Sequence, residues 1–269
     1  MSRFHAVELR SAAPSIRFPD PSGRSLQAVV ASAPIGAVIE LAPGRYVGGI
    51  TIRHPMTIKG AGELTRIAAD DSGSVIDIDC EEPGLIFVES VAIESGAAER
   101  GGGVLVRRGR VRLYNVRGSA CRAREEGGFL YVGGGEVEAS LVRINGCRAA
   151  RGGAIALEGS VSLVLKDSDI RDSEADFGGG ISVRGRAMLR LDGVALGKTH
   201  ATQPSGGQAI SIGAGHAAVN LVKVRFEDVP LGQPMTVEPG STVSLKGCDL
   251  PSDVLRNPGI ADEGENRWR

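Results

Sequence analysis

The sequence predicts an all-β chain that winds as a parallel β-solenoid of roughly eight coils. Three observations carry that prediction. A glycine phrase recurs at a nearly constant period: Gly101, Gly127, Gly152, Gly178 and Gly206 each open a glycine pair or triplet, at steps of 26, 25, 26 and 28 residues. Short segments with alternating apolar residues follow each phrase. No helical periodicity separates those segments, so crossover helices cannot connect them, and each coil must stack on the one before.

Each glycine phrase leads into a first triplet: Val104-Leu105-Val106, Leu130-Tyr131-Val132, Ile155-Ala156-Leu157, Ile181-Ser182-Val183 and Ile210-Ser211-Ile212. A second follows, as in Val111-Arg112-Leu113, Val137-Glu138-Ala139 and Val161-Ser162-Leu163. A third is clearest in Val142-Arg143-Ile144, Val194-Ala195-Leu196 and Val224-Arg225-Phe226. In an extended segment the outer two residues of a triplet face one side and the middle one faces the other. The apolar outer pair therefore points into the coil. Glycine suits corners where φ is positive, or where the backbone of one coil approaches the next.

The frame extends in both directions. Ser25 caps a helix over 25–34, with Leu26, Val29 and Val30 on its apolar face and Pro34 as its stop, placed to plug the open N-terminal end. Strands follow at 38–41, 50–52 with 56–58, and 76–78 with 85–87. A last coil falls at 235–237 and 242–245. The predicted division is an N-terminal arm and capping helix over 1–34, the β-helix over 35–250, and a polar tail or loose cap over 251–269.

Composition limits what this rod does. The formal net charge of −1 provides no field for nucleic acid or an anionic membrane. Aromatic residues make up 4%, so the core is aliphatic and the ring platforms common in sugar grooves are scarce. Four cysteines in 269 residues do not form a disulfide scaffold. The opening MSRFHAVELRSAAPSIRF holds no apolar signal core, and the expectation is a soluble, reduced, cytoplasmic protein.

The stretch LQAVVASAPIGAVIELAPGRYVGGITIRHPMTIKGAG, 26–62, resembles the opening of right-handed parallel β-helix proteins of the pectin-lyase-like superfamily. They too often begin with a capping helix, a strand and a PG-x-Y turn, here Pro43-Gly44-Arg45-Tyr46. The glycine–glycine–aliphatic repeats at 98–183 are also similar to those of polymorphic outer-membrane proteins, with Cys121, Cys147 and Ser173 where those proteins commonly carry Asn. The resemblance implies a right-handed coil and covers about 25–250. For function it implies little, because the superfamily holds lyases, hydrolases, adhesins and scaffolds.

The catalytic patterns of its best-known enzymes do not occur here. The sequence has no GHG, no RIK and no Asn-x-Asp pair. Counting from the glycine anchors, Arg117, Arg143, Asp169, Ala195 and Arg225 form one outward row. That row reads as a base-and-acid pair for β-elimination, an anion-binding stripe, or a surface salt-bridge ladder of at most about 1 kcal/mol per pair. Arg112 falls beside Glu138 in the same way. The run Asp167, Asp169, Asp172, Glu174, Asp176 offers hard oxygen ligands without a calcium-solenoid period, so it reads as a solvated corner. His5, His54, His200 and His216 lie in different coils, and Cys121 and Cys147 stack as small core residues. No metal or cofactor is expected.

The outward row of the first strands, Asp77, Leu105, Tyr131, Ala156, Ser182, Ser211, puts Leu105, Tyr131 and Ala156 side by side. If exposed, they form an apolar patch suited to a protein partner. The expected function is a non-catalytic intracellular binding or scaffold protein using that face. The alternative is a carbohydrate-active enzyme, a polysaccharide lyase or glycoside hydrolase, built on Arg117, Arg143 and Asp169.

Overall fold

The computed structural model describes residues 13–69, 72–229, 233–256 and 259–268. The chain is an all-β parallel solenoid of about nine turns with the pectin-lyase-like right-handed parallel β-helix fold. Eight turns each give one strand to an eight-stranded parallel sheet, from Ile50–Ile52 to Met235–Val237. The second and third segments of the turns both belong to one 18-stranded sheet that wraps two further sides of the solenoid.

Register follows the sequence period residue by residue. Asp77 pairs with Leu105, Leu105 with Tyr131, Tyr131 with Ala156, Ala156 with Ser182 and Ser182 with Ser211. The flanking apolar residues Ile76, Val104, Leu130, Ile155, Ile181 and Ile210 are buried in one continuous core. Aliphatic side chains of one column stack at the strand spacing of about 4.8 Å, which is why alternation alone specified the fold.

The glycine phrase is a corner, and its two glycines answer different demands. Gly127 sits at φ +64°, and a Cβ there would lie 2.3 Å from the Leu130 carbonyl oxygen. Gly128 follows without a positive φ, but its Cβ would lie 2.2 Å from the Gly153 oxygen in the next coil. The first glycine allows the turn and the second allows the stacking.

Both ends are closed. The helix Leu26–Ser32 is capped by Ser25, whose hydroxyl accepts from the Ala28 N–H at 3.2 Å, and it buries Leu26, Val29 and Val30. Gln27 Oε1 accepts the Thr51 N–H at 2.6 Å, docking the helix beside the first strand of the eight-stranded sheet. Before the helix, Ser15–Phe18 adds a parallel rung to Val38–Leu41. The Tyr46 ring meets Phe18 edge-on at 5.2 Å between centroids, and its hydroxyl donates to the Ala42 oxygen at 2.6 Å.

At the other end Ile260–Asp262 and Arg267–Trp268 pair in parallel with the last complete turn. These two rungs, with the one formed by Ser15–Phe18, take the solenoid beyond the eight coils counted in the sequence. An edge of unpaired N–H and C=O groups recruits whatever extended chain lies nearby, even one of polar composition.

Candidate functional site

A groove of ≈ 930 Å³ opens over the outward face of the eight-stranded sheet. Asp77, Leu105 and Tyr131 form part of its floor, and Arg100, Arg107, Arg124 and Glu125 stand around it. Two repeating columns make the rims. One is the residue just before each glycine pair, giving Arg100, Glu126, Arg151 and Phe177 in successive turns. The other follows the first strand, with Glu158 paired in register to Arg184.

The structure places Leu105, Tyr131 and Ala156 side by side as the register requires, yet they are not an exposed patch. They are 8%, 6% and 3% exposed and form a small apolar cluster apart from the main core. The Tyr131 ring leans over Gly133, where a Cβ would come within 2.7 Å of it, and the Arg100 guanidinium lies 5.3 Å from the ring centroid. Long rim side chains cover the cluster, so the flat apolar docking face expected from the sequence does not exist.

Over that cluster the two rims meet in a charged network. The Tyr131 hydroxyl donates to Glu158 Oε2 at 2.7 Å and receives Arg100 Nη1 at 3.3 Å. Arg184 Nη2 donates to Glu158 Oε1 at 2.6 Å and also to Glu126 Oε1. Arg100 Nε donates to Glu125 at 2.9 Å and lies 3.7 Å from Glu126 Oε2. Glu126 is 2% exposed, and its Oε2 has no hydrogen-bond partner among the described residues.

The two carboxyl groups Glu126 and Glu158 lie within hydrogen-bonding reach of each other, and their environments push them apart. Burial raises Glu126 above the ordinary glutamate range, with Glu158 adding to the rise and Arg184 opposing it. Burial also pushes Glu158 upward, but the Tyr131 hydroxyl, the Glu126 proton and the two guanidinium groups outweigh it, so Glu158 falls below its ordinary value. Of the two, Glu126 is therefore the readier to hold a proton and Glu158 the readier to lose one. Desolvation, with the adjacent Glu158, drives the Tyr131 phenol upward, so it remains a donor. At the other end of the groove Arg107 grips Asp77 through contacts of 3.0 and 3.3 Å.

The residues singled out in the sequence as enzyme candidates lie on a different face. Arg117, Arg143 and Asp169 are successive register partners, as counted from the glycine anchors. They border a separate depression of ≈ 440 Å³. The expected Arg143–Asp169 pair is not formed: Asp169 lies 3.5 Å from Arg171, and Arg117 is bound to Glu63. Arg112 does meet Glu138, at 2.8 Å on open surface. The acidic run is dispersed, since Glu174 pairs with Arg148 and Asp176 accepts from Thr202. Among the described residues no group of three or more His, Cys, Asp or Glu is placed to hold a metal ion. His5 lies outside the described residues, and His216 contacts the Gly240 oxygen. All four cysteines are buried and free. In the longest repeat Gln208 is buried and clamps Ala201 through both amide atoms.

Fold and groove together define a pectin-lyase-like right-handed β-helix with a charged cleft on its eight-stranded sheet. Among solved structures, a pectin methylesterase from carrot superposes with a TM-score of 0.57 at 14% identity, covering 96% of this chain and 89% of its own. A pectin methylesterase from Aspergillus niger gives 0.48 at 14% identity, covering 96% and 85%. No family model matches the chain. No curated protein matches it either.

These findings correct the functional expectation. The non-catalytic scaffold needed an exposed apolar face, which Arg100 and its neighbours occupy, and the structural neighbours are pectin methylesterases, which are enzymes. The likeness to polymorphic outer-membrane repeats rests on the glycine phrase, which corner geometry already explains.

Proposed function

We propose that the chain is a carbohydrate-active enzyme that binds a polysaccharide along the groove of the eight-stranded sheet and hydrolyses an ester bond on it. One observation carries the proposal. Two neighbouring carboxyl groups bridged by Arg184, one driven up and one driven down, lie with the Tyr131 hydroxyl and Arg100 beside the ≈ 930 Å³ groove. Opposed shifts of this kind separate an acid from a base at neutral pH.

Glu158 is the more accessible, ionised member: it takes the proton of a water that attacks the ester carbonyl, then gives it to the departing alcohol oxygen as the acyl C–O bond breaks, leaving the free acid. Glu126 beneath it keeps its own proton and holds Glu158 oriented, while Arg184 bridges both. Arg100, which reaches Tyr131 from the groove side, faces the negative charge that develops on a carbonyl oxygen. Glycosidic cleavage suits this pair less well, because glycosidase carboxyl groups stand about 5 Å or more apart, leaving room for the sugar carbon or water between them.

The test offers a panel of esterified and de-esterified polysaccharides, following both acid release and new reducing ends. Acid release that falls about 10²–10⁴-fold in Glu158→Gln supports the reading. New reducing ends without acid release, or a Glu158→Gln variant of full activity, would overturn it.

A further inference from the structure

We infer a second ligand site, on the third-segment face of the solenoid, that binds a hydroxylated monocarboxylate at Arg143. Two outward columns build it. One runs Arg66, Ala92, Arg117, Arg143, Asp169, and the other runs Glu94, Ser119, Asn145, Arg171. Ala92 is 3% exposed and lowers the floor between longer neighbours. The strand Thr57–Ala68 loses register between Lys59 and Arg66, and this irregular stretch brings Glu63 over the depression to Arg117. The result is a walled depression rather than a flat stripe.

Four guanidinium groups, of Arg66, Arg117, Arg143 and Arg171, line the depression. Three of them are engaged: Arg117 with Glu63, Arg66 with Glu94 at 3.7 Å, and Arg171 with Glu227 at 2.6 Å and Asp169 at 3.5 Å. Among the described residues, no carboxylate lies within ion-pairing distance of Arg143. One cation therefore stands open in the middle of the site.

The ligand's chemistry follows from that arrangement. A guanidinium fork matches a planar carboxylate with two parallel hydrogen bonds. The one unpaired guanidinium takes one planar carboxylate, and the carboxylates of Glu63, Glu94 and Asp169 around it repel a dianion such as phosphate. The same carboxylates, with the Asn145 amide and the Ser119 hydroxyl, accept or donate to ligand hydroxyl groups. An anion with one carboxylate and several hydroxyls satisfies all of these groups at once. The site lies on a different face from the Glu126–Glu158 network, and its occupancy does not depend on any hydrolytic activity there.

Isothermal titration calorimetry of the full chain at low ionic strength tests this, with gluconate, acetate, glucose and inorganic phosphate as separate probes. Gluconate is expected to bind one site per chain, more tightly than acetate, glucose or phosphate. Arg143→Gln should weaken it at least about 10-fold, the scale of a lost charge-assisted hydrogen bond. Arg143 is exposed, so the variant should melt like the parent by circular dichroism, and Arg112→Gln, on another face, should bind gluconate unchanged. No gluconate binding, equal binding by Arg143→Gln, tighter phosphate binding, or equal binding of glucose would each overturn the inference.

Discussion

Phe129 supplies the sharpest test of how this core is packed. It is fully buried, and it occupies the position before the first strand where other turns carry Gly103, Ala154, Gly180 and Ala209. Its ring fills a gap in another column: Gly118 stands in register with Ile93 and Ile144, yet has no side chain. A Cβ on Gly118 would lie 2.3 Å from the ring, and one on Gly103 would lie 2.5 Å from it. Ring and glycine are therefore one packing unit. Phe129→Ala should cost about 3–5 kcal/mol through lost burial and a residual cavity. Gly118→Val alone should cost about 1–3 kcal/mol or more by overpacking. Gly118 is not at positive φ, so a side chain is tolerable there once the ring is gone. The double variant should lose at least about 2 kcal/mol less than the sum of the singles, as residues in contact do. Equilibrium urea unfolding, followed by circular dichroism with the slope checked for constancy, measures all three. Additive losses, or a Phe129→Ala loss below about 1 kcal/mol, would refute the packing argument.

Gly127→Ala places a Cβ against the Leu130 carbonyl at a left-handed corner, and should destabilise by about 1–3 kcal/mol in the same unfolding assay. Hydrolysis should follow a bell in pH. Its acid limb lies below the ordinary glutamate value of 4.5, because Glu158 must be ionised and is driven down. Its alkaline limb lies above that value, because Glu126 must stay protonated and is driven up. Both limbs belong to the pair as a unit, and Glu126→Gln should remove the alkaline one. An unchanged profile in Glu126→Gln would remove Glu126 from the mechanism. All four cysteines are buried and free, so a thiol reagent should label none of them until urea unfolds the chain.

The period made the fold legible almost to the residue. Arg112 against Glu138, and Arg117 against Arg143 against Asp169, follow from counting along repeats, because parallel stacking preserves the count from coil to coil. Direction was legible too, since alternation puts Tyr131 outward. What lies over an outward residue was not. Arg100 covers Tyr131 from a different segment of the coil, and the angle between segments is set by corner geometry that no alternation encodes. The same blindness hid the Glu126–Arg184 contact, whose partners are 58 residues apart and sit on opposite rims of the sheet. A signal existed in retrospect: Glu126 immediately precedes a glycine pair, the same position in its repeat as Arg100 in the turn before. The terminal rungs were missed for another reason. Composition governs whether a segment can build a core, whereas Ile260–Asp262 needed only an open edge to pair with.

The Glu126–Arg184 contact also separates what the solenoid needs to stand from what the cleft needs to act. Stacking makes no demand for charge before the glycine pair, since Phe177 occupies the equivalent position two turns later. A buried carboxyl with one unpartnered oxygen is an expensive way to fill that space. Replacing a buried ion pair with apolar residues of similar volume is often neutral, or stabilising by about 1–4 kcal/mol. Glu126→Leu combined with Arg184→Met should therefore leave urea stability equal or higher, while hydrolysis loses its proton-holding partner and its bridge to Glu158. Removing Arg184 alone should be worse for stability than removing both, because Glu126 would then be buried with its main cation gone. A double variant less stable than Arg184→Met would mean that the network holds the coil together. One equally stable and inactive would mean that the charges are kept for the reaction.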